Sequence, residues 1–335
     1  MDCFPIILII IFMICLLFNY LSLNSTKSEM EIARGMGMGM GYNLGNLFDC
    51  YNTSKEIISP DEQITLCGNN IPTKNMIKQI KKYGFKTIRF PVTWLHFIDE
   101  NGNINPSWMS RVKEVVDWII NSNLYCILNV QNDGAKGNWL REGLIMKHIF
   151  INLWNQISNA FKNYDEHLIF ESMRDIESLE GEDNNLYLQM FFEFTQIFVD
   201  TIRNNEGYNK KRLLIIPGIN SNIDFTCSSN YIMPKDPYNK LAISIIFHYP
   251  QDFVIKEDDK PYTFIRDNVS YIGYPSTNWG SDAEYIDLVS YFEQMKKTFV
   301  NKNIPVILAE CSVITEQKKE IVSIIISRFL TKNIL

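Results

Sequence analysis

Residues 72–94 read PTKNMIKQIKKYGFKTIRFPVTW. Pro72-Thr73 opens an amphipathic helical stretch that runs through Tyr83 and is closed by Gly84. Thr87 to Phe90 then forms a short apolar run of the kind buried on both faces of a parallel sheet. The same alternation continues along the chain. Further strands are expected at Tyr125 to Val130, Leu168 to Phe170, Leu213 to Ile216, Leu241 to Phe247 and Pro305 to Ala309, with Tyr42 to Leu44 as the first. Helices are expected at Pro106 to Ile120, Ile149 to Phe161, Leu186 to Arg203, Asp282 to Val300 and Glu316 to Phe329. Repeated βαβ units imply a parallel sheet, and no internal sequence repeat accompanies them. Seven strands at this spacing suit an α/β fold of the TIM (β/α)8-barrel type. The chain stops at Leu335, too soon after the last helix for an eighth strand, and an open seven-stranded sheet is the alternative.

The composition bounds what such a fold can do. The 335 residues are 46% hydrophobic and 21% charged, enough to build a core and too apolar for general disorder. A net charge of -6, with no lysine- or arginine-rich tract, argues against nucleic acid as a partner. Cys3 to Phe18 has no polar side chain and is followed by the polar stretch Asn24 to Glu31. Residues 1–30 are therefore read as a secretory signal peptide, or else as an uncleaved signal anchor, ahead of a body at 31–335. The chain is expected to be secreted, touching membrane only through that segment. Cys50 and Cys67 suit one short disulfide loop in an oxidising compartment. Cys126 and Cys311, inside apolar runs, read as buried thiols. The cysteines show no metal spacing, and the Gly-Met alternation of GMGMGMGYNLGN is not a phosphate-binding loop, so neither metal, nucleotide nor cofactor is called for.

GYNLGNLFD at 41–49, residues 68–94, LYCILNV at 124–130, EHLIFESM at 166–173 and PVILAE at 305–310 together resemble glycoside hydrolase family 5. The resemblance is strongest to the endoglucanase (cellulase) branch found in anaerobic rumen microbes. It implies a TIM barrel whose C-terminal rim carries a retaining two-carboxylate mechanism on β-1,4-glucan. Glu310, after the strand at 305–309, holds the nucleophile position. Where the family has Asn-Glu, its sugar-contacting amide and its acid/base, this chain has Arg174-Asp175. Asp175 keeps a carboxyl on a shorter stem, and Arg174 sets a cation beside it that favours the charged form.

The family's His-His-Asp corresponds to Gln131-Asn132-Asp133, which can bond a sugar but not carry a proton. Its His-x-Tyr falls on Ile246 and His248 without gaps, whereas a slip of two residues restores His248-Tyr249; the ungapped register is preferred. Arg89 survives as a sugar-contact residue. Trp139 and Trp279 lie in loops suited to aromatic sugar platforms, and no residue takes the place of the eighth-strand tryptophan. Trp118, Trp154, Trp108 and Trp94 read as core. Glu171, about 13 Å back along the strand from the altered pair, and Glu177, in the loop, are not expected to replace the acid. Three readings follow: a cellulase-like protein with impaired or lost catalysis, preferred here; an active endoglucanase using Asp175 and Glu310; and a non-catalytic carbohydrate-binding protein.

Overall fold

The computed structural model describes residues 31, 33, 37–50, 59–131, 144–174, 184–219, 223–247, 262–266, 269–273 and 282–310. Seven strands, β1 (Gly41–Asn43), β2 (Thr87–Phe90), β3 (Tyr125–Asn129), β4 (Leu168–Glu171), β5 (Leu214–Pro217), β6 (Leu241–Ile246) and β9 (Val306–Glu310), pair in parallel in that order. They wrap into a nearly closed barrel whose seam lies between β1 and β9. This is a TIM-type barrel lacking one strand among the described residues.

Local sequence explains the helices. In α2 (Lys74–Lys82) the Thr73 hydroxyl accepts from the Met76 N–H, and Ile77 and Ile80, one turn apart, are buried. In α3 (Pro106–Asn121) Asn105 caps the Ser107 N–H and Pro106 occupies the first turn. Trp108, Val112, Val115, Val116 and Ile119 make its buried stripe. The expected helices at 149–161, 186–203 and 282–300 are α4 (Leu144–Ala160), α5 (Asn184–Asn204) and α7 (Asp282–Thr298).

Some elements escaped the sequence reading. Among them are α1 (Pro60–Thr65), the short α6 (Ile223–Thr226) and an antiparallel hairpin of β7 (Tyr262–Arg266) and β8 (Val269–Gly273). Trp94, Trp108 and Trp154 are fully buried, as expected, but Trp118 is only half-buried, its ring covered by the Arg111 guanidinium at 5.4 Å. Cys50 and Cys67 form the anticipated disulfide, and Cys126 is buried. The expected helix at 316–329, Cys311 and residues 1–30 lie outside the described residues.

Alternation along each strand makes two cores. Outward residues such as Ile88, Phe90, Leu128, Phe170, Ile216 and Ile243 pack against the helices. Inward residues Ile127, Ile169, Leu213, Ile215, Ala242 and Ile307 fill the lower barrel together with Met38. From the Gly-Met alternation, Met38 packs into this inner cluster while its carbonyl accepts from the Thr87 hydroxyl at 2.6 Å. Gly37 lies where an added Cβ would meet the Tyr125 hydroxyl at 2.7 Å, and Gly39 sits at φ +54°. Above that apolar floor the inward positions turn polar.

Candidate active site

The polar layer is organised by Arg89, which parity points into the barrel from β2 and which is 3% exposed. Its Nε donates to Glu171 Oε2 at 2.7 Å. Nη1 donates to Asn43 Oδ1 at 3.1 Å and to Glu310 Oε1 at 3.2 Å, and Nη2 to Gln131 Oε1 at 3.1 Å. Strand register supplies these partners: Asn43 pairs with Arg89 across β1 and β2, and Asn129 with Glu171 across β3 and β4. Asn129 Nδ2 donates to Glu171 Oε2 at 3.1 Å and to Gln131 Oε1 at 2.9 Å, and its Oδ1 accepts from the Val92 N–H. Ser244, from β6, donates to Glu171 Oε1 at 2.6 Å.

Glu310 reaches this layer through a bulge. Ser244 pairs with Ile307 and Ile245 with Leu308, but Ile246 pairs with Glu310, leaving Ala309 as an extra residue. In a regular, unbulged strand, alternation from the inward Ile307 would turn Glu310 to the helix side. The bulge returns it to the barrel interior. Its side chain is 26% exposed at the mouth, whereas that of Glu171 is fully buried.

Burial, the largest influence on the Glu171 carboxyl, works against its charge. Arg89, then Arg174, and the hydrogen bonds from Ser244 and Arg89 outweigh it and hold the group below the usual carboxylate range. Glu171 is therefore a fixed anion and not a proton donor, in keeping with its rejection as a substitute acid. It nevertheless belongs to the site, one guanidinium away from Glu310, a role the sequence reading missed. Asp49 lies on the rim after β1. Burial dominates there and pushes its carboxyl up, against backbone N–H donors and the charge of Arg89.

Of the residues singled out from sequence, the structure brings Arg89, Gln131 and Glu310 together. Arg174 is buried three residues beyond the end of β4, where its charge acts on Glu171. Gln131 is 5% exposed, and its carbonyl serves the Arg89 cluster rather than standing open to solvent. Asn132, Trp139, Asp175, His248, Tyr249 and Trp279 lie outside the described residues. Asn43, Asn129 and Ser244 were not anticipated; inward parity at strand ends was the signal available for each. Asp165, Glu166 and His167 have ligand atoms within 4.8 Å of one another, but they sit before β4 at the opposite end of the barrel, and Asp165 already bonds the His167 ring and N–H.

Comparison with known proteins agrees with this fold. The family model "Cellulase (glycosyl hydrolase family 5)" matches residues 50–333. Endoglucanase A of Paenibacillus barcinonensis is 34% identical over 297 residues, covering 80% of this chain and 70% of its own length. Endoglucanase A of Clostridium longisporum is 33% identical over 287 residues, and there the chain spans 50% of the relative's length. Among solved structures, a GH5-4 broad specificity endoglucanase from an uncultured bovine rumen ciliate has TM-score 0.80 and 48% identity, over 92% of this chain and 85% of that one. A family 5 xyloglucanase from Paenibacillus pabuli has TM-score 0.75 and 29% identity, over 90% and 89%. With a family match over most of its length and 34% identity to an endoglucanase over 297 aligned residues, this chain belongs to glycosyl hydrolase family 5, the cellulase family.

Proposed function

We propose that this chain acts on β-1,4-glucan by the retaining route, with Glu310 as nucleophile and with proton transfer weakened at Arg174-Asp175. The observation that carries the reading is the Arg89 to Glu310 contact at 3.2 Å, which sets a cation beside a carboxylate at the barrel mouth. The glucan reading is supported by a relative: the GH5-4 endoglucanase from Ruminococcus champanellensis holds cellotriose. Glu310 attacks the anomeric carbon, the aglycone oxygen leaves, and water later hydrolyses the glycosyl ester. Leaving-group protonation falls to Asp175, whose stem is one methylene short, and the neighbouring Arg174 favours its charged form. A misplacement of about 1 Å costs on the order of 10²-fold in rate.

A fully active endoglucanase is the second reading, favoured by the completeness of the Arg89, Glu171 and Glu310 cluster. A dinitrophenyl cellobioside separates the two, because its leaving group needs no proton. Slow release from it, with almost none from carboxymethyl-cellulose, is expected. Arg174→Asn with Asp175→Glu together should raise polysaccharide cleavage by about 10²-fold or more. If native protein cleaves cellulose as fast as that double variant, proton transfer is unimpaired and the second reading stands. We infer export from the apolar N-terminal stretch and the Cys50–Cys67 disulfide, a bond suited to an oxidising compartment.

A further inference from the structure

An arginine stem has several rotatable bonds, so aiming Nη1 at Glu310 requires that something fix the guanidinium plane. The Nε–H is the donor nearest the stem. Once it is held, the direction of the whole fork follows. In this barrel the Nε partner is Glu171, at 2.7 Å, the shortest hydrogen bond Arg89 makes in the cluster. Glu171 is itself immobilised at both oxygens, by Ser244 on Oε1 at 2.6 Å and by Asn129 on Oε2 at 3.1 Å. It is fully buried, out of reach of bulk solvent. The hold therefore runs from β6 and β3 through Glu171 on β4 to Arg89 on β2, and ends on Glu310 of β9.

We propose that Glu171 is a positioning residue for the reaction: by tethering the Arg89 Nε–H it directs Nη1 onto Glu310 and orients that carboxylate for attack. The proposal rests on Glu310 being the nucleophile. Glu171 acts through Arg89 and not on the sugar, since its side chain is fully buried whereas that of Glu310 is 26% exposed. Its lowered proton affinity agrees with a permanently charged anchor. Arg174 adds a second cation to its surroundings, so in this chain one buried carboxylate answers two guanidinium groups.

The test uses 2,4-dinitrophenyl 2-deoxy-2-fluoro-β-cellobioside. With this probe a Glu310 oxygen forms a bond to the anomeric carbon as the aryl C–O bond breaks, and dinitrophenolate departs with the electron pair and no proton. The adduct is counted by mass spectrometry, which gives a trapping rate constant and, separately, a binding constant. In Glu171→Ala trapping should slow by about 10²-fold with probe binding changed less than about threefold, as expected for lost orientation. Glu171→Gln keeps an acceptor for Arg89 Nε and should recover most of that loss. Ser244→Ala, which removes one hold on Glu171 and leaves every charge in place, should slow trapping by about threefold to tenfold. It serves as the second variant should Glu171→Ala not fold.

The Arg89 Nε–H resonance, assigned by its disappearance in Arg89→Lys, should lose exchange protection in Glu171→Ala and keep it in Glu171→Gln. Native trapping rates in folded Glu171→Ala, or in Ser244→Ala, overturn the tether, as does a Gln variant no better than Ala. A native chain that forms no adduct on Glu310 overturns the nucleophile reading instead, and the tether falls with it.

Discussion

Arg212 shows at the level of one residue how a charge can serve the frame rather than the site. It is fully buried, and its Nη2 donates to the carbonyls of Phe161 and Tyr164 at 3.0 and 2.9 Å. Nη1 donates to those of Asp165 and Leu168, and the guanidinium lies 4.6 Å over the Phe170 ring. It thus collects the carbonyls left open after α4 and ties them to the start of β4, the strand that carries Glu171. Arg212→Ala would orphan these acceptors, so a loss of about 3 kcal/mol or more is expected. Urea unfolding should show a lower midpoint with an unchanged slope; a midpoint within error of native would refute this role. Sequence reading had no handle on Arg212, because most of its partners are backbone atoms, up to 51 residues away. Arg89 and Glu310 were legible because their motifs are local and ordered.

Among the elements, the loop after β1 is stapled by the Cys50–Cys67 bond across 17 residues, and it carries Asp49 beside the cluster. Closing a loop of that length stabilises a fold by roughly 3 kcal/mol in the chain-entropy account. Cys50→Ser with Cys67→Ser should therefore lower the melting temperature by several degrees, and calorimetry under non-reducing conditions measures it. No change would mean that the loop is held by packing alone. The hairpin of β7 and β8 carried a readable signal, since YTFIR and VSYIG alternate on either side of a two-residue Asp267-Asn268 link. A search for short runs buried on both faces passes over such strands. The bulge at Ala309 carried no signal, because register irregularity is a property of two strands together.

For the molecule as a whole, acid stability follows from its buried carboxylates. The Asp236 side chain is 1% exposed and accepts from Arg203 Nε and Nη2 at 2.8 and 3.0 Å. Burial is the largest influence and opposes its charge, but the Arg203 bonds and backbone donors outweigh it and leave the carboxyl below its usual range. Asp236 and Glu171 are both depressed, so their contribution is complete above the ordinary carboxylate pKa and is lost as pH falls through the lowered folded values. Asp49 is raised and acts in the opposite sense, costing stability as pH rises past the ordinary value. Two depressed buried groups, with the exposed Asp99 also lowered by its Asn103 hydrogen bonds, against one raised predict a melting temperature that is flat near neutrality and falls below about pH 4. Asp236→Asn should melt lower at pH 7 and show a shallower acid decline; an unchanged decline would remove this pair from the account.

The sequence by itself determined the order of the seven barrel strands and the family, and offered Cys50 and Cys67 as a candidate disulfide pair, because periodicity and ordered motifs are properties of contiguous residues. It also picked out Arg89, Gln131 and Glu310. The tertiary structure alone decided that Gln131, Glu310 and Glu171 converge on Arg89, that Ser244 and Asn129 hold the Glu171 carboxylate, and that a bulge turns Glu310 inward. Those contacts join residues 82 and 221 positions apart. Which side chains meet at such separations is set by the register of strands around a barrel, and a shift of one residue in any of them would send its polar group to the other face.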